Sequence, residues 1–328
     1  MKIFREKNIA VSRMVNTSLL QSNMTQVSLL SNKLLEYTKL TIILLIILGF
    51  CFFTCFVTMI LKVFFMTPHL RYSSRYVLFV YMLTNDTYFV YLGFYLVISS
   101  FYELHIPISL CFFLYSLGNI AYKVTPYSLA AMAVEQYVAI CHPLRHAELY
   151  TTYRARVTFT MICSLLAGLQ VIELFVMVSS ITNILDLYII CRTTLLVVNP
   201  IQNVLRSINV ILCFSSVGLV ILVTYIKIMV VAHRISSGLS LASKAGKTVM
   251  LHAFQLLLCM ASLFSSLTES IDINQVELLS LINFFLFTCV PRFLSPVIYG
   301  FRDETLRRHI KLSLAHITHN FYGKKVFR

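Results

Sequence analysis

The run Thr41-Ile42-Ile43-Leu44-Leu45-Ile46-Ile47-Leu48-Gly49-Phe50-Cys51-Phe52-Phe53 holds no charged side chain and no alternation of polar with apolar positions. The missing period of two argues against a strand of a membrane barrel, whose residues alternate between lipid and lumen. Extended to residues 39–66, the stretch exceeds the roughly 20 residues an α-helix needs to cross about 30 Å of hydrocarbon. Six further stretches of this kind follow, at about 76–100, 106–140, 157–180, 200–232, 245–268 and 277–300. Composition points the same way: 58% of the chain is hydrophobic and 12% charged, with a mean hydropathy of +0.81, whereas about a quarter of an ordinary soluble domain is charged. No Pro/Gly/Ser-rich linker, fixed-period repeat or low-complexity tract divides the 328 residues. The expectation is an all-α membrane protein, a seven-transmembrane helix bundle over residues 39–300, with a tail at 1–38 and a second terminal segment at 301–328.

The formal net charge of +14 raises nucleic acid as a partner, but the basic residues are spread among apolar spans instead of gathering with aromatics on one soluble face. A membrane surface accounts for them better, and no nucleic acid is expected. Cytoplasmic loops carry the excess of Lys and Arg. Here Lys62, Arg71 and Arg75 lie at the end of span 1 and after it, Arg145, Arg154 and Arg156 follow span 3, Lys227, Arg234, Lys244 and Lys247 surround the loop after span 5, and more follow span 7. The opposing loops hold few, although Lys2, Arg5, Lys7, Arg13 and Lys33 in the N-terminal tail run against the trend. With an odd number of spans, this places the N-terminus outside and the C-terminus in the cytoplasm. No cleavable signal peptide is read in residues 1–38, so span 1 directs insertion. The sequons at Asn16 and Asn23 then fall on the glycosylated side; a third match at Asn85 lies within span 2, out of reach. Seven of the nine cysteines fall in or at the ends of apolar spans as packing residues. Cys111 and Cys191 fall on the oxidising side, where they pair as a disulfide or remain two unpaired thiols.

Asp86, Lys123, Glu173 and Arg292 lie inside spans, where a charge at the bilayer centre costs about 2.5–3.5 kcal/mol on insertion scales. Such residues face the bundle interior. They keep a transporter in view as a competing class, against which stands the absence of any inverted repeat. Chemistry on a substrate is not expected: His105, His142, His146, His233 and His252 form no compact metal spacing, and there is no phosphate loop or nucleophile elbow. No metal and no cofactor is implied.

The segment Met132-Ala133-Val134-Glu135-Gln136-Tyr137-Val138-Ala139-Ile140-Cys141-His142-Pro143-Leu144-Arg145 resembles the MAxDRYxAICxPLxY signature at the end of helix 3 in odorant receptors of the rhodopsin-like class. Lys244-Ala245-Gly246-Lys247-Thr248 with His252 resembles the start of that family's helix 6. Ser295-Pro296-Val297-Ile298-Tyr299 resembles its NPxxY motif in helix 7, with Ser in the first position, and Leu83-Thr84-Asn85-Asp86 matches its helix 2 segment with a buried acid. The resemblance covers about residues 37–315 and is closest in style to teleost-type odorant receptors. It departs in three respects. The chain has no Trp, its second extracellular loop has a single Cys, and Gln136 occupies the place of the motif's Arg.

The resemblance implies a small-molecule odorant as ligand, a heterotrimeric G protein as partner and a plasma-membrane location. It implies a ligand cavity lined by Gly118, Asn119, Tyr122 and Lys123 of span 3, with Leu263 and Phe264 of span 6 and Phe285 and Thr288 of span 7. Helical spacing sets Tyr115, Asn119 and Tyr122 on one face. Lys123 there either meets an anionic odorant or bonds Glu173. Glu135, Gln136, Tyr137, Tyr225, Pro296 and Tyr299 are implied in coupling and activation. Because Gln cannot reproduce a guanidinium fork, Glu135 is left without its usual partner, either protonated or turned toward cytoplasmic water. Family packing would set Asp86 and Arg292 at similar depth as a buried ion pair, where the resemblance otherwise implies a sodium site. Residues 302–315 read as a basic amphipathic helix on the inner leaflet. A non-signalling receptor homologue is the alternative that Gln136 keeps open.

Overall fold

In a computed structural model, the chain is described at residues 2–179, 188–191, 200–234 and 282–302, with short stretches at 250, 253–254, 256–258, 260 and 307–308. Residues 1–50 and 51–328 form two compact units. The described elements are α1 (Lys2–Met66), α2 (Pro68–Arg71), α3 (Ser74–Phe101), β1 (His105–Pro107), α4 (Ile108–Cys141), α5 (Pro143–Leu149), α6 (Thr152–Ser179), β2 (Tyr188–Ile190), α7 (Pro200–Arg234), a π-helical turn at Phe284–Cys289 and α8 (Val290–Arg302).

Proline punctuates this order. Pro68, Pro143 and Pro200 each stand as the first residue of a helix and Pro107 immediately before one, positions where the missing N–H costs nothing and φ is already suited to the helix. Conversely, residues 2–48 contain neither Gly nor Pro. Helix α1 accordingly runs unbroken from Lys2, so the tail at 1–38 is helical from Lys2 onward and continuous with the first span. The sequons Asn16 and Asn23 lie on this helical backbone.

Among the described residues, five helical segments are long and apolar enough to cross a membrane: Glu36–Met66, Ser74–Phe101, Ile108–Cys141, Thr152–Val176 and Pro200–Val231. A shorter apolar helix runs over Phe284–Leu294. The expected sixth span, 245–268, lies largely outside the described residues, as does most of 302–315. Helix α6 begins at Thr152 rather than near 157, because its first turn is polar and gave no apolar signal. Large apolar side chains such as Leu165, Phe175, Ile211 and Leu219 are exposed on α6 and α7, a surface suited to lipid and not to water. Within the spans, hydroxyls are satisfied by their own helix: Thr84 donates to the Val80 carbonyl at 2.9 Å, Thr87 to Leu83 at 2.7 Å, Ser128 to Val124 at 2.8 Å and Thr224 to Val220 at 2.9 Å. That local bond removes most of the penalty of a polar group in hydrocarbon.

Helix α4 is the hub, packing against α3, α6 and α7. Ala130 and Ala133 of α4 pack with Phe214, Val217, Ile221 and Ile228 of α7. At the other end of α4, Cys111 is joined to Cys191 by a disulfide with Cα atoms 5.5 Å apart. The bond ties the helix to a small antiparallel pair that the all-α reading did not include, β1 with β2, in register His105 to Ile190 and Pro107 to Tyr188. Three-residue strands are too short for a periodic signal in sequence. Around the joint, Ile108, Cys111, Phe112 and Cys191 are buried together.

Helix α3 approaches the π-helical turn at Gly93. A Cβ placed there would sit 2.6 Å from Cε2 of the buried Phe284 ring, whereas one at Gly168 of α6 would meet nothing within 4 Å. Gly93→Ala is therefore expected to destabilise the protein by about 1–3 kcal/mol through overpacking, and Gly168→Ala to be neutral or stabilising, since Gly costs about 1 kcal/mol in a helix. Thermal melts of the detergent-solubilised protein check this; equal melting temperatures for the two variants would contradict the close packing at Gly93.

Candidate functional site

Three buried polar centres are strung along α4, and each recruits side chains from its neighbours. The middle one is built on Pro126, which sits inside α4 and has no N–H for the carbonyl four residues before it, that of Tyr122. Arg292 of α8 supplies the missing donor, with Nη2 3.4 Å from the Tyr122 carbonyl oxygen. The same guanidinium places Nη1 2.5 Å from Oδ1 of Asp86 on α3. Thr125, next to the proline, donates its hydroxyl to the same Asp86 oxygen at 2.6 Å, and Asn85 donates to the Ala121 carbonyl at 2.8 Å. Phe89 and Tyr122 flank the guanidinium, their ring centroids 5.1 and 6.0 Å from its central carbon. Asp86 and Arg292 are 0% and 3% exposed. With a guanidinium already on the Asp86 carboxylate, the residues here do not fit a sodium ion, whose charge would be redundant.

Nearer the disulfide, α4 turns a polar edge towards α6. Asn119 Nδ2 donates to Gln170 Oε1 at 2.8 Å and to Glu173 Oε2 at 3.4 Å, and Gln170 Nε2 donates to Ser116 Oγ at 3.4 Å. Glu173 is 1% exposed and Lys123 4%. The two charges belong to one cluster, yet no Lys123–Glu173 ion pair within 4 Å is formed; Asn119 holds the carboxylate instead. Arg206 of α7 lies over the Tyr115 ring, its central carbon 4.8 Å from the centroid.

The cavity residues expected from sequence divide here. Asn119 and Lys123 belong to this cluster, whereas Tyr122 turns away to Phe89 of α3 and Phe214 of α7, both at 6.0 Å between ring centroids. The single face drawn through Tyr115, Asn119 and Tyr122 is therefore split between two centres. Gly118 lies where an added Cβ would touch Leu92 of α3 at 3.5 Å. Phe285 and Thr288 are half-buried in the π-helical turn, and Leu263 and Phe264 lie outside the described residues.

The third centre surrounds Glu135. This carboxylate is buried and not turned towards water. Its Oε1 accepts the Ser74 hydroxyl at 3.3 Å and lies 2.9 Å from Nε2 of His146 on the short α5. His146 stacks on Tyr150, ring centroids 5.9 Å apart. Burial, and then the Glu135 charge, raise the Tyr150 phenol above its usual pKa, so it stays neutral. A cavity of about 360 Å³ opens beside them, lined by Tyr72, Ser73, Ser74, Thr151 and Thr152 as well. Gln136 is buried. Tyr137 meets His142 edge-on at 5.9 Å and receives the Lys227 ammonium 5.8 Å from its centroid. Tyr225 packs against the α4–α7 core, Pro296 is buried in α8, and Tyr299 lies on the α8 backbone.

His146, Ser74, Thr125, Gln170 and Arg206 escaped the sequence reading. Gln170 carried a usable signal, since it precedes Glu173 by three positions and shares its helix face. His146 carried none, because α5 brings it back to Glu135 only through tertiary packing.

Residues 58–299 match the family model of the 7 transmembrane receptor (rhodopsin family). The chain is also 31% identical over 248 residues to Odorant receptor 131-2 of Danio rerio, covering 73% of this chain and 75% of that protein. Taken with the apolar helices and the disulfide, these matches make the chain a member of the rhodopsin family of seven-transmembrane receptors, similar within it to odorant receptors.

Proposed function

We propose that this chain is an odorant receptor, which binds a small odorant within a seven-helix bundle and activates a heterotrimeric G protein. The observation that carries the reading is the 31% identity to an odorant receptor across three quarters of each chain. The buried polar cluster on α4 and α6 supports it, since ionisable residues kept inside an apolar bundle mark functional sites. In this reading the N-terminus is extracellular, Asn16 and Asn23 carry glycans, and the protein resides in the plasma membrane. The basic segment 302–315 lies on the anionic inner leaflet. The ligand enters near Gly118, Asn119 and Lys123, bounded by Tyr122, Leu263, Phe264, Phe285 and Thr288. Its differential affinity for two bundle conformations shifts the population of the coupling-competent one, with Tyr225, Pro296 and Tyr299 supporting the open end.

Glu135 and Gln136 set how this receptor differs from its family pattern. The motif's guanidinium is replaced by a neutral amide, and the adjacent acid is held by Ser74 and His146. A non-signalling homologue is the second reading, and this substitution is the observation that favours it. A surface-normalised cAMP assay, in cells supplied with an olfactory-type G protein and challenged with water-soluble odorants, separates the two. We expect a ligand response that Gln136→Arg strengthens several-fold. Silence from both forms at good surface expression would favour the non-signalling reading, and identical responses would remove Gln136 from coupling.

The Asp86–Arg292 pair yields a separate expectation. Removing one member strands a buried charge, at a cost of about 3–5 kcal/mol, so Asp86→Ala and Arg292→Ala should each lose most surface expression. The exchange Asp86→Arg with Arg292→Asp should recover part of it. Recovery no greater than for either single charge reversal would show that the pair does not act as a unit.

A further inference from the structure

The α4–α6 cluster contains two buried charges of opposite sign that the bundle leaves apart. Glu173 has one oxygen bound by Asn119 and the other, Oε1, buried with no hydrogen-bond partner. Lys123, equally buried, has no carboxylate within 4 Å among the described residues, and the groups acting on it are Glu173, Cys213 and Arg206. Leaving either charge unpaired in a low-dielectric interior is strongly unfavourable. A direct Lys123–Glu173 contact would relieve both, but the chain of bonds from Ser116 through Gln170 to Asn119 pins the carboxylate against α4. What the cluster lacks is a hydrogen-bond donor for Glu173 Oε1 and, beside it, an anion for Lys123.

We infer that this cluster recognises a small zwitterion of the α-amino acid class, its ammonium on Glu173 and its carboxylate on Lys123. The inference rests on reading the chain as a ligand-binding receptor and adds the chemical class of the ligand. An amine alone would leave Lys123 unpaired and bring a second cation beside it, with Arg206 already near. A carboxylate alone would leave the Glu173 oxygen without a donor and set two anions side by side. A ligand carrying both groups, as an α-amino acid does on its single Cα, satisfies the two residues at once. Arg206 is not the missing partner, because it is only half-buried and is engaged with the Tyr115 ring.

The test uses the full-length receptor, purified in detergent, with alanine, propionate and ethylamine as probes, the last two being alanine without its amine and without its carboxylate. A mixture of neutral L-α-amino acids covers differences in side chain. Ligand-dependent thermal stabilisation reports binding without any G protein. The expected result is stabilisation by alanine or the mixture, and none by propionate or ethylamine at the same concentration. Lys123→Gln and Glu173→Gln should each weaken that binding by at least about tenfold, the 1.4 kcal/mol equivalent of losing one charge-assisted bond. Stabilisation by propionate or ethylamine as large as by alanine would overturn the zwitterion, as would no stabilisation by any amino acid. Should the variants fail to fold, the comparison of probes on the native receptor decides alone. Amino-acid stabilisation with a silent cAMP assay would leave this inference standing and remove the coupling reading. A cAMP response to odorants other than amino acids, without amino-acid binding, would do the reverse.

Discussion

One proline sets the geometry on which the bundle interior depends. Pro126 interrupts the hydrogen-bond ladder of α4 by withdrawing the N–H that the Tyr122 carbonyl would accept four residues before it. In water such a group would be solvated, but in hydrocarbon it needs an internal partner. Arg292 provides it, and its guanidinium then needs an anion, which Asp86 supplies from α3. The break in one helix, the cation of a second and the acid of a third thus form one unit, whose members are each costly when left alone. A fixed positive charge is built into the place where the family resemblance implies an exchangeable one.

The same accounting of buried polar groups separates the other two centres. At the Glu135 end every contact to the carboxylate comes from the protein itself, from Ser74 and His146. There the chain has lost its motif guanidinium and holds the acid with an imidazole carried on a short helix. At the Glu173 end one carboxylate oxygen is buried without a hydrogen-bond partner among the described residues, and the buried Lys123 has no carboxylate within 4 Å among them. A satisfied network rigidifies a fold, whereas an unpaired polar group in a low-dielectric interior is costly.

The apolar runs determined that this chain is a helical membrane protein, because no other arrangement of such runs satisfies the backbone in lipid. The signature around Glu135 identified the family. The charged residues within spans announced that polar centres exist, because nothing else offsets the cost of a charge in hydrocarbon. Partners were another matter. Whether Lys123 meets Glu173, whether Glu135 meets water or a side chain, and on which side of α4 Tyr122 lies depend on helix rotation. A shift of one residue turns a side chain by 100°, so spacing along one helix cannot fix contacts with another. The long continuation of α1 to Lys2 was legible in the absence of Gly and Pro, yet its polar composition hid it from a search for apolar runs. Tertiary structure alone decided that Arg292 reaches across to the carbonyl freed by Pro126, because that bond joins residues distant in sequence through a gap only the packed helices create.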